Sequence, residues 1–115
     1  MNVDTSQLEA ELITDIQTEL ADEEAFNANI LAIKVRNAIR DVKMRRNYRA
    51  TSYTEEQIID DLYNYYSTIY NLAIYDYNQV GMNGQESHNE NSISRKWVSR
   101  DDILKGVHSF VGFSL

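Results

Sequence analysis

The sequence predicts an all-α domain: three longer helices, a short C-terminal helix, and a polar loop or short hairpin over about residues 81–98. Three observations carry that expectation. The chain has no proline, its first glycine is Gly81, and apolar residues recur every three or four positions before it. Proline and glycine are the residues that most often break a helix, so nothing in that stretch interrupts one. At 115 residues the chain has the length of one domain, and 1–115 is read as a single helical unit. A chain of that size buries roughly two-thirds of its unfolded surface, enough for one core without covalent staples.

The first helix is expected over about residues 6–21. Asp4, Thr5 and Ser6 offer N-caps, and Glu9 stands three after Ser6 as in a capping box. Leu8, Leu12, Ile16 and Leu20 then repeat at four-residue spacing, which makes one side apolar. The second helix is expected over about 23–47. Phe26, Ile30, Ile33, Ala38, Ile39 and Val42, with Leu31 and Val35, form its apolar face. Asp22, Glu23 and Glu24 fall at its start and Lys43, Arg45 and Arg46 at its end, the order that a helix dipole favours.

After a short connection at 47–53, Thr54 caps a third helix running to about Gln79, with Thr54 and Gln57 as a capping box. Its apolar residues fall in three rows: Ile59, Leu62, Tyr66, Ile69 and Ala73; Ile58, Tyr65 and Leu72; Tyr63, Tyr70 and Ile74. A surface that wide makes the helix either central to the domain or shared with another subunit. Gly81 suits the position after a helix end. Beyond the polar stretch, Ser99 or Asp101 is available to cap a last helix over about 101–108, followed by an extended apolar tail.

Charge is distributed in blocks. Residues 1–24 hold eight acids and no base, residues 25–50 hold seven bases and one acid, and the net charge is −7. Such blocks can pair within a chain or between copies. The acidic total disfavours nucleic-acid binding, which needs an excess of Lys and Arg. Arg36, Arg40 and Lys43 nevertheless share one helix face, which offers either a phosphate contact or a partner for acidic surface. The absence of cysteine removes disulfides, thiolate metal sites and cysteine nucleophiles. No apolar run reaches the ~20 residues of a membrane span, and the acidic N-terminus is unlike a signal peptide. A soluble protein made in a cytoplasm is expected.

Candidate chemistry centres on the segment GMNGQESHNENSISRKW, residues 81–97. His88 and Glu90 have the H-x-E spacing of zinc deaminases, but those also require a P-C-x-x-C element, and this chain has neither residue type. No nucleophile elbow or phosphate-binding glycine loop occurs. The adjacent acids Asp60 and Asp61 point about 100° apart on a helix and read as solvated surface. No catalytic residue, metal site or cofactor is expected. Tyr63, Tyr65, Tyr66, Tyr70 and Tyr77 on the third helix read as packing and interface residues, because tyrosine gives large contact area with a polar tip.

The run Gly81, Gly84, Glu86-Ser87-His88-Asn89-Glu90-Asn91, then Ile93-Ser94-Arg95-Lys96-Trp97, resembles a signature of the head–tail connector proteins of tailed bacteriophages, also called head-completion or adaptor proteins. The tail SFVG at 109–112 is similar to that family's apolar end. Departures are Asn89 for serine, Ser92 for glycine and Trp97 for tyrosine. The resemblance is specific over about twenty residues and architectural upstream.

It implies a non-enzymatic virion protein at the head–tail interface, formed in the host cytoplasm. Such proteins assemble in a ring, typically a dodecamer in the virion, under the portal protein, which often serves as template, so that isolated subunits can be monomers. The ring extends the DNA channel, which the genome crosses without sequence-specific binding, and it docks the next connector, stopper or tail component. The implied contact residues are Glu86, His88, Glu90, Asn91 and Arg95 around Trp97, with Tyr63, Tyr70 and Tyr77, and the basic trio Arg36, Arg40 and Lys43. The rival reading is a small helical DNA-binding regulator that uses the basic helix at 34–46.

Overall fold

The computed structural model describes residues 3–20, 26–79 and 99–110. These residues are all-α, with five helices and no strand among them. Helix α1 spans Ser6–Glu19, α2 Ala28–Arg46, α3 Glu55–Asn64, α4 Tyr66–Gln79 and α5 Arg100–Leu104. A single 3-10 turn, Tyr48–Ala50, lies in the connection after α2. The polar segment expected at 81–98 falls outside the described residues.

Helix α1 begins where its capping residues predict, although the pairing differs. Thr5 is the N-cap, and its hydroxyl donates to Glu9 Oε2 at 2.9 Å. Asp4 Oδ1 accepts from the Ser6 N–H at 3.0 Å, so the expected Ser6–Glu9 box is replaced by these two contacts. Helix α2 starts later than expected. Asn27 caps it, its Oδ1 accepting from the N–H groups of Asn29 and Ile30 at 3.0 and 3.1 Å. The acids at 22–24 thus precede α2 rather than forming its first turn, which carries no acidic residue. Its basic end is as expected, and Asn47 stops it at φ 60° and ψ 60°. This left-handed conformation is one that asparagine tolerates better than most residues.

The single long helix expected over 54–79 is broken. Tyr65 has φ −106° and ψ 22°, and its N–H bonds to the Leu62 carbonyl three residues back at 2.9 Å. Neither proline nor glycine causes the break. It goes with tertiary contact, because the Tyr65 ring lies 5.0 Å from the Arg46 guanidinium, on the end of α2. Thr54 does form the expected capping box, with Gln57 N–H to Thr54 Oγ1 at 3.1 Å and Thr54 N–H to Gln57 Oε1 at 2.8 Å. Thr54→Ala is expected to cost about 1 kcal/mol, read as a lower urea midpoint. An unchanged midpoint would mean that packing alone holds the start of α3.

Helices α2 and α4 form the central pair, α1 lies against both, α3 packs on both at one end, and α5 packs on α4. The core is one cluster. It joins Leu8, Leu12 and Ile16 of α1, Leu31, Val35 and Val42 of α2, Leu62 of α3, and Ile69, Leu72 and Ile74 of α4. Ile103, Leu104 and Val107 extend it under the C-terminal segment. The wide apolar surface of the third predicted helix is therefore consumed mainly inside the chain. Ile33 is the exception on α2: it belongs to the expected apolar face, yet it stands 47% exposed.

Candidate subunit interface

The outward side of α2 is built by helix periodicity. At about 100° per residue, Leu31, Val35, Ala38, Ile39 and Val42 fall on one side and are buried. Ile33, Arg36, Arg40 and Met44 fall on the opposite side, and all four are exposed. Ile33 and Met44, 47% and 73% exposed, are the exposed large hydrophobic residues among those described. Lys43 lies at the edge of this stripe and is half-buried. It lines a shallow hollow of about 350 Å³ with Met44, Asn47, Tyr48 and Arg49. Arg40 Nη1 donates to Asn37 Oδ1 at 3.0 Å. Among the described residues, Arg36, Arg40 and Lys43 form no ion pair. The structure thus places this predicted trio together, with two apolar residues beside it.

The acids of α1 are not their partners. Tyrosines from α3 and α4 take that role instead. Tyr66 donates to Asp15 and Tyr70 to Glu19, while Tyr63 faces Glu11. The three rings form a ladder, with Tyr63 and Tyr66 stacked at 6.3 Å and Tyr66 and Tyr70 tilted to each other at 6.5 Å between centroids. Tyr77 accepts a 2.8 Å hydrogen bond from the Asn27 N–H and packs on Phe26 at 5.8 Å. The predicted interface tyrosines 63, 70 and 77 are therefore half-buried and partly engaged within the chain. Desolvation and the neighbouring carboxylates raise the pKa of Tyr63 and of Tyr66 above the usual phenol range.

Two charge clusters join distant segments, the first largely buried and the second half-exposed. Arg46 Nε and Nη2 donate to Asp61 at 2.8 and 3.0 Å, and the Tyr48 hydroxyl donates to Asp61 Oδ2 at 2.6 Å. Asp61 is thus buried and paired, correcting the solvated surface that the sequence suggested. Burial works against the Arg46 charge, yet Asp61 outweighs it and raises the pKa. Burial and the same carboxylate push Tyr48 up as well. Arg46 also holds the tail: Nη1 donates to the His108 carbonyl at 2.7 Å, and the Phe110 ring centroid lies 4.0 Å from the guanidinium. The Phe110 N–H bonds to the Arg46 carbonyl at 2.8 Å.

The second cluster is Arg100, which bonds to Asp41 and, at 2.8 and 3.0 Å, to Asp76. It ties α5 to α2 and α4. Hydrogen bonds to Asp76 and then Asp41 raise the Arg100 pKa despite desolvation. Sequence reasoning missed both clusters, because their partners are thirteen or more residues apart.

The raised tyrosine pKa values set an alkaline limit. Tyr48, Tyr63 and Tyr66 hold their protons more tightly folded than unfolded. Their contribution is therefore complete below about pH 10 and is lost as pH rises toward the folded values. A urea midpoint followed upward from about pH 9 is expected to fall, with tyrosinate absorbance rising as the chain unfolds. A midpoint flat over that range would contradict the ladder.

Among the described residues no three His, Cys, Asp or Glu side chains are placed to hold a metal. No described helix is long and apolar enough to cross a membrane. Glu86, His88, Glu90, Asn91, Arg95 and Trp97 lie outside the described residues. Comparison with family models, with curated proteins and with solved structures gives no match.

Proposed function

We propose that the chain is a non-enzymatic, ring-forming head–tail connector subunit of a tailed bacteriophage. It docks on the portal vertex, extends the DNA channel and presents a surface to the next connector or tail component. One structural observation carries the ring-forming part: a basic stripe with two exposed apolar residues lies opposite the core on α2 and has no ion partner among the described residues. A face of this kind suits a contact between copies, and a head-to-tail contact that closes makes a ring. The resemblance of residues 81–100 to the connector signature supplies the biological setting, and the all-α layout agrees with it.

The same stripe serves the rival reading, a DNA-binding regulator, so the experiment must separate the two. Purified protein mixed with portal rings and viewed in negative stain is expected to add an annular layer, and raised salt to loosen it. Retardation of duplex DNA with a steep salt dependence, by a small dimer that ignores portal rings, would favour the regulator instead.

A further inference from the structure

The geometry points to the acidic outer face of α3 in a neighbouring copy as the occupant of the α2 stripe. This inference rests on the ring-forming reading and names its contact. On α3, Ile58, Asp61 and Leu62 are buried. Helix periodicity puts Glu56, Asp60 and Tyr63 on the side away from them. Glu56 and Asp60 are exposed and form no ion pair among the described residues. The α1 acids Asp15 and Glu19 already accept tyrosine hydroxyls, whereas Glu56 and Asp60 on α3 are, among the described residues, open to a partner.

The spacing of the two faces agrees as well as their charge. Arg36 and Arg40 are four residues apart, about 6 Å along the axis, and so are Glu56 and Asp60. With the helices antiparallel, Arg40 meets Glu56, Arg36 meets Asp60, and the exposed Ile33 falls against the half-buried Tyr63. The contact thus joins two charge pairs to one apolar pair. Because it uses two different faces, each copy in a contact keeps its other face free for the next.

Charge exchange tests it. One variant carries Arg36→Glu and Arg40→Glu; a second carries Glu56→Lys and Asp60→Lys. All four positions are exposed, and circular dichroism checks that each variant is folded. Wild-type protein is expected to self-associate at high concentration in sedimentation velocity, each variant alone roughly tenfold or more weakly. An equimolar mixture of the two variants is expected to recover association, since each restores the pairs that the other lost. Variants that associate like wild type, or a mixture that does not recover, would overturn the contact. So would wild-type protein that stays monomeric throughout. The ring reading is judged separately by the portal experiment, which can succeed through another face.

Discussion

Replacing Asp61 by alanine is expected to destabilise the protein by about 3 kcal/mol, among the largest losses available outside the apolar core. The Arg46 and Asp61 side chains are only 12% and 11% exposed, so water cannot take over the role of the carboxylate. Its removal leaves a largely buried guanidinium without its counter-charge and the Tyr48 hydroxyl without its acceptor. Arg46 keeps the His108 carbonyl and the faces of Tyr65 and Phe110, which places the loss at the lower end for a broken buried pair. The double variant Arg46→Met with Asp61→Ala should recover part of it, because no unpaired charge remains. Chemical denaturation of the three variants measures both effects. A loss under about 1 kcal/mol in Asp61→Ala would show the pair to be solvated.

Leu72→Ala is expected to cost about 3 kcal/mol. Leu72 is fully buried on α4, the helix that α1, α2, α3 and α5 all touch. The truncation therefore opens a void where several elements meet, and rigid neighbours collapse into it only partly. Met44→Ala provides the contrast: at 73% exposure its change should stay within about 0.5 kcal/mol in the isolated subunit. A comparable loss at both positions would mean that the stripe on α2 is not open in the isolated chain.

Local features carried most of the fold. The four-residue row of Leu8, Leu12, Ile16 and Leu20 announces α1 and its buried side, and all four are buried. Thr54 and Gln57 mark the start of α3 because both halves of a capping box lie within four residues. Arg36 and Arg40 are legible as one exposed face for the same reason, since a helix converts spacing into direction. What the sequence hides is decided over distance. Asp60 and Asp61 are chemically identical neighbours; the helix phase set by Ile58 and Leu62 turns Asp61 inward, and Arg46 fifteen residues earlier supplies the counter-charge that lets it stay there. The break at Tyr65 has no helix-breaking residue to announce it. Ile33 has the composition of a core residue and the position of a surface one, so apolar character alone misplaced it. Tyr63, Tyr66 and Tyr70 read in the sequence as packing and interface residues; within the chain they meet the α1 carboxylates, a pairing that spans about fifty residues.

The way Arg46 is satisfied also constrains how the polypeptide matures. Its carboxylate partner comes fifteen residues later, and its carbonyl and ring partners on the tail come more than sixty residues later. During synthesis, the first two helices can therefore associate through their leucines while this cation still has only water around it. The native arrangement closes once residues 108–110 are present and Phe110 packs against Tyr48 and Tyr53. A chain halted before residue 108 should consequently leave the Arg46 end less protected and more open to proteases.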